Sequence, residues 1–156
     1  MQQLFFVEES VAGRCGPDSC MWNLDELHNN NVAAILSVND GEMVHVSLLE
    51  TLCIAYRNIQ LSSNAPPLDG DLELCLKSLP QIVSFIEQHK CNGLVIVHCK
   101  SGKDRTGLAL AAYFMRTRNL LPNEAIEAVK NLRSIAFTAP GWDEFSLKVL
   151  RALRHT

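Results

Sequence analysis

Residues 98–107 read His-Cys-Lys-Ser-Gly-Lys-Asp-Arg-Thr-Gly. Five residues separate Cys99 from Arg105, and two of them are lysines, Lys100 and Lys103. A short loop of this kind, placed before a helix, can turn its backbone N–H groups inward and form an anion nest. Lys100, Ser101, Gly102, Lys103, Asp104 and Arg105 would then line a cup for phosphate. Gly102 tolerates the backbone angles such a turn needs, and Ser101 contributes its N–H rather than its hydroxyl. Arg105 can present a planar fork to two phosphate oxygens. Cys99 sits at the base of this positive field, which favours its thiolate. From there the sulfur can attack phosphorus in line and form a phosphocysteine. His98 is placed to hydrogen-bond backbone or loop groups below Cys99 rather than to act as a base. Thr106 can donate its hydroxyl to the sulfur. A buried cysteine in an ordinary strand–helix turn is the plainer alternative, but it leaves the gathered Lys, Lys and Arg unexplained.

The flanking elements suit the task. Leu94 to Val97 (LVIV) is the most strand-like segment, and it runs directly into the loop. Three helical stretches follow, at about 105–118, 122–133 with Pro122 in the first turn, and 140–154 opened by Pro140. Earlier, Leu4 to Val7 and Ser10 to Arg14 are short strand candidates, and Gly16-Pro17-Asp18 is turn chemistry. Asp18 or Ser19 can cap a helix running to about Asn29. Val32 to Val38 reads as a strand buried on both faces, 43–53 as a short helix and Ile54 to Leu61 as an alternating strand. Ser62 to Gly70 (SSNAPPLDG) is the one clear loop, and helical periodicity returns from Asp71 to about His89, with Pro80 expected to break or kink it. Strands alternating with helices imply an α/β domain with a central, mostly parallel sheet flanked by helices. The motif then lies at the carboxyl end of the most buried strand, where such sheets bind ligands.

The chain has 156 residues, 47% of them hydrophobic, which fits one globular domain over 1–156. No apolar run approaches the roughly 18 residues of a membrane span, and the first residues lack the basic start of a secretory signal. The net charge of −3 argues against general nucleic-acid binding. Its distribution is uneven: residues 1–98 hold 4 Lys and Arg against 12 Asp and Glu, whereas 99–156 hold 10 against 5. The excess of cations therefore gathers in the half that carries the loop. Six cysteines are too few for a disulfide scaffold, so reduced thiols and a cytoplasmic setting are expected.

The strand–HC-x5-RTG–helix unit resembles the cysteine-based phosphatase superfamily, which includes protein tyrosine and dual-specificity phosphatases. The His before the Cys, the Gly at the third loop position and Thr106-Gly107 after the Arg carry the resemblance. It implies a protein tyrosine phosphatase-like (dual-specificity phosphatase) fold and a metal-independent, cofactor-free phosphomonoester hydrolase. Size and element order look like the compact atypical dual-specificity phosphatases. The Gly-Lys-Asp-Arg loop is similar to that of bacterial tyrosine phosphatases that also act on phosphoinositides. Lys100 and Lys103 flank it in a pattern that resembles dedicated phosphoinositide phosphatases, in which such lysines contact extra phosphates on the inositol ring. In dual-specificity phosphatases a mobile loop usually brings a general-acid Asp 30–40 residues before the nucleophile. Here that position falls near Ser63, where there is no carboxylate. Asp69 is one replacement, and Asp71 reads as a cap for the following helix. Asp104 is the other, since the resemblance to Gly-Lys-Asp-Arg and myotubularin-like enzymes implies an acid in the loop itself. Its cationic neighbours oppose that role unless bound phosphate restores the proton. Thr138, Asp143 and Glu144 are candidates for positioning the hydrolytic water, and Trp142 is core or rim.

Cys15, Cys20 and His28 are too scattered for a zinc site. Cys53, Cys75 and Cys91 look like small core residues, and relatives suggest that one of them could pair with Cys99 on oxidation. A protein tyrosine or dual-specificity phosphatase, monomeric and acting on phosphoprotein, leads the readings. A phosphoinositide phosphatase follows, and a phosphate-binding pseudophosphatase without turnover is the non-enzymatic alternative.

Overall fold

The computed structural model describes residues 3–155. Strands β1 (Phe5–Glu8), β2 (Val11–Arg14), β3 (Val32–Ser37), β4 (Ala55–Asn58) and β5 (Leu94–His98) form one sheet in the order β1-β2-β5-β3-β4. All neighbours pair in parallel except β1, which is antiparallel to β2. Among the described residues, six α-helices accompany the sheet: α1 (Leu24–Asn29), α2 (Val46–Thr51), α3 (Asp71–His89), α4 (Asp104–Arg118), α5 (Pro122–Leu132) and α6 (Trp142–Arg154). The α/β class expected from the alternating elements is the one observed.

β5 is central because its run Leu94–Val97 is apolar throughout. All five of its residues are buried. Val95 and Val97 join the larger apolar cluster with residues of α3, α4, α5 and α6. Leu94 and Ile96 face the opposite cluster with Leu27, Leu49 and Ile54. Burial of each such side chain stabilises the fold by about 1.5–3 kcal/mol. In β3, Val32 and Ile35 share the second cluster despite an odd spacing. A register irregularity between Val32 and Ala34 explains it, since one offset residue exchanges the two faces.

Several expectations need correction. α1 starts at Leu24 rather than at 18 or 19. The Asn23 side chain accepts from the N–H groups of Asp25 and Glu26 and caps the helix there. The preceding segment is held elsewhere: Cys15 and Cys20 form a disulfide, and Arg14 donates to the carbonyls of Cys20 (2.8 Å) and Met21 (3.2 Å). These two cysteines are therefore not reduced thiols. Cys53 and Cys91 are exposed rather than core, because each lies in the turn that ends a helix; Cys75 is buried in α3. Pro80 does not break α3, which runs continuously across it. An interior proline costs about 3 kcal/mol, and burial of Leu79, Ile82, Phe85 and Ile86 on the same helix outweighs that. Pro80 itself lies on the exposed side.

Candidate active site

β5 ends at His98, and α4 begins at Asp104, so residues 99–103 span the gap as a tight loop at the carboxyl edge of the sheet. Three of the loop's carbonyls are claimed from outside. The Lys100 carbonyl accepts from the Gly16 N–H at 2.9 Å. Those of Ser101 and Gly102 accept from Arg133 Nη2 (2.9 Å) and Nε (3.1 Å). In a planar trans peptide the N–H points opposite to the C=O. The N–H groups of Ser101, Gly102 and Lys103 consequently turn away from Gly16 and Arg133, toward the concave side, as an anion nest requires. Gly102 has φ +67°, and a Cβ there would lie 2.8 Å from the backbone of Arg14. Glycine is thus demanded twice. At Gly16 a Cβ would come within 2.9 Å of the Cys99 carbonyl, so the β2–α1 loop packs directly on the 99–103 loop.

Cys99 is 2% exposed at the base of this loop. The buried His98 behind it is neutral, since burial pushes its imidazole down to about 4. Its Nδ1 lies 3.1 Å from the Cys99 carbonyl, an obligate acceptor, so Nδ1 carries the proton. Nε2 must then accept from Ser37 Oγ at 2.6 Å, and Ser37 in turn accepts from the Tyr56 hydroxyl at 2.7 Å. This chain of hydrogen bonds ties the loop base to β3 and β4. Thr106 Oγ1 is buried without a hydrogen-bond partner. The bond to the cysteine sulfur expected for it is not formed in this state, and its proton remains uncommitted.

Arg105 is gripped from behind. Its Nε donates to the Ser62 carbonyl at 2.8 Å and its Nη2 to the Asn64 carbonyl at 3.4 Å. Its guanidinium carbon lies 4.6 Å from the centre of the Trp142 ring. Trp142 is fully buried, and its indole N–H donates to the Asn64 carbonyl at 2.9 Å. Two of the five guanidinium donors are thereby used, which leaves both on Nη1 and one on Nη2 for an end-on fork.

Asp104 opens α4 and is 3% exposed. Its Oδ1 accepts from the Ala139 N–H (3.2 Å), and its Oδ2 faces Arg105 Nη1 at 3.8 Å. Asp69 is exposed and forms no hydrogen bond or ion pair among the described residues. Asp71, read from sequence as a helix cap, instead gathers the preceding loop. It accepts from Leu68 N–H (2.6 Å), Ser62 Oγ (2.8 Å) and Asn64 Nδ2 (3.2 Å). Burial opposes ionisation of Asp71, but these donors and Arg105 prevail and hold the carboxyl below its ordinary range. Lys100 is exposed and Lys103 half-buried at the loop rim. Asp40 lies beside Gly16, where burial and then Asp18 push its carboxyl up to about 6.

The motif thus led to Cys99, Arg105 and the loop between them, while Arg133, Ser62, Asn64 and Ser37 escaped sequence reasoning. Ser62 and Asn64 act through backbone carbonyls, which no residue type advertises. Asp143, Glu144 and Thr138 are exposed; the Thr138 hydroxyl donates to the Ile135 carbonyl at 2.6 Å.

A family model for the dual specificity phosphatase catalytic domain matches residues 16–143. Over 119 residues the chain is 29% identical to dual specificity protein phosphatase 22-B of Danio rerio, covering 76% of this chain and 59% of that protein. It spans about half the length of such relatives. The crystal structure of Tk-PTP in the active form superposes with a TM-score of 0.78 at 20% identity, covering 99% of this chain and 97% of that one. PTPMT1 in complex with PI(5)P gives 0.72 at 17% identity, covering 99% and 98%. These structures speak for the fold, which is protein tyrosine phosphatase-like. The family match takes in the β2–α1 loop, the phosphate loop and the start of α6 alike, and the chain belongs to the dual-specificity phosphatase catalytic-domain family.

Proposed function

We propose that this chain, acting as a single monomeric domain, hydrolyses phosphate monoesters of phosphoproteins through a phosphocysteine. The observation that carries the reading is Cys99 at the floor of a loop whose carbonyls are drawn outward, with Arg105 held beside it. The Cys99 thiolate attacks phosphorus; a P–S bond forms as the ester P–O bond breaks. The departing oxygen takes a proton from an acid, and water then cleaves the P–S bond to release inorganic phosphate and the thiolate. Nest N–H groups and the Arg105 fork stabilise the charge on the transferring phosphoryl oxygens. For the acid we propose Asp104, whose carboxyl adjoins the fork, in preference to the solvent-facing Asp69. The deciding experiment is turnover of an aryl phosphate by the wild type and by Cys99→Ser. The wild type should turn over, and the variant should bind phosphate without turnover, because its hydroxyl is not ionised at neutral pH. Binding without turnover by the wild type would establish the pseudophosphatase reading instead.

A phosphoinositide substrate is the second reading. Lys100 and Lys103 at the loop rim favour it, as does the likeness to PTPMT1, whose complex holds PI(5)P. A polyphosphorylated headgroup gains more from each rim cation than a lone phosphotyrosine does. Lys100→Ala and Lys103→Ala should therefore impair phosphoinositide turnover more than phosphopeptide turnover, and equal losses would dismiss this reading. No helix among the described residues is long and apolar enough to cross a membrane. The cytoplasmic setting expected from reduced cysteines sits uneasily with the Cys15–Cys20 bridge. Counting free thiols in freshly lysed cells distinguishes a reducing from an oxidising compartment.

A further inference from the structure

We propose that Asp71 is a positioning residue that sets the direction of the Arg105 guanidinium through the backbone of the 62–64 segment. The inference rests on the phosphate-binding half of the proposed function and not on turnover. Among the described residues, Asp71 makes no hydrogen bond to residues 99–105. Its carboxylate accepts from the Ser62 hydroxyl (2.8 Å) and the Asn64 side-chain amide (3.2 Å), the two residues whose carbonyls receive Arg105 Nε and Nη2. The Leu68 N–H, at 2.6 Å, closes the loop from the other side. One buried anion thereby fixes both carbonyls that hold the cation.

The arrangement decides which face of the fork meets phosphate. With Nε and one Nη2 proton occupied, phosphate meets the end-on pair of Nη1 and Nη2. Without Asp71, Ser62 and Asn64 lose their common acceptor, the carbonyls shift, and Nε is released. Arg105 keeps its charge but samples other orientations, and the planar fork loses its advantage over a point charge.

Inorganic phosphate is the probe, and its dissociation constant, measured by calorimetry, is the readout. Asp71→Asn can keep an oxygen where Leu68, Ser62 and Asn64 donate but removes the charge that strengthens all three hydrogen bonds, and it should weaken phosphate binding about tenfold. The coupling is read in an Arg105→Lys background, where there is no fork to orient. There Asp71→Asn should change the constant less than about twofold, since the two residues act through one interaction. A merely structural Asp71 would give the same loss in both backgrounds, and that result overturns the proposal. So does an unchanged constant in the single variant. Should Asp71→Asn not fold, Ser62→Ala carries the test: it keeps the carbonyl but frees it from Asp71, and should weaken binding about threefold in wild type and not in Arg105→Lys. Equal effects there overturn the proposal equally. Because binding is measured, a wild type that binds phosphate without hydrolysis fails the phosphocysteine reading and leaves this one standing.

Discussion

Asp104 poses a sharp question of charge. It is nearly buried, accepts a backbone hydrogen bond from Ala139 and faces the Arg105 guanidinium. A general acid must carry a proton when it meets the leaving oxygen. Acid assistance is typically worth about 10²–10⁴-fold and matters most when the leaving oxygen is strongly basic. Asp104→Asn should therefore lose about that factor on alkyl or unactivated phenyl phosphates and far less on activated aryl esters. Asp69→Asn, altering an exposed side chain, should be near neutral on both. The slope of log rate against leaving-group pKa is the measurement. A uniform loss would mean that Asp104 only braces the Ala139 turn, and a steeper slope in Asp69→Asn would return the acid to the 62–70 loop.

At the scale of elements, the phosphate loop is shaped by what surrounds it. Arg133 follows α5 and reaches back to two loop carbonyls, so the end of α5 braces the loop. Arg133→Ala should leave the fold intact, since the side chain lies partly in solvent. It should lower kcat/KM about 10- to 100-fold, as a slight misplacement of donors is expensive; circular dichroism and steady-state kinetics on one aryl phosphate check both halves. The strand–loop–helix unit was legible because its signals are local: an apolar β-branched run, a glycine, then helical periodicity. The hydrogen bonds that give the loop its working shape are not local. Nothing about Arg133 distinguishes it from other surface cations until α5 is packed, and the partners of Arg105 are carbonyls. Pro80 misled for a related reason. Its local penalty is real, and the tertiary burial of α3 decides.

Across the whole molecule, two buried groups oppose each other in acid. His98 titrates at about 4 in the fold and at about 6.5 when unfolded, so between these values the unfolded chain binds more protons and stability falls with acidification. Asp40 does the reverse: at about 6 folded and 3.9 unfolded, it binds its proton in the native state, so its contribution is lost as pH rises through 6. The two slopes oppose each other from about pH 4 to 6. Asp40→Asn removes one of them, and its midpoint in urea should fall more steeply between pH 6 and 4.5 than that of the wild type. A flat profile in the variant would show that His98 takes up its proton without loss of the fold. Below pH 4 the lowered Asp71 joins, since its stabilisation is lost as pH drops through its folded value.

The two kinds of free thiol also divide the molecule for the chemist. Cys53 and Cys91 lie in solvent at helix ends, whereas Cys75 lies within the core and Cys99 at the floor of an anion cup. A bulky neutral maleimide will decorate the first two and leave Cys99 bare. A small anionic electrophile will be drawn to Cys99 by the very cations meant for phosphate. Fluorophores can therefore be installed at Cys53 and Cys91 of the native chain to follow ligand arrival at Cys99, with no cysteine removed.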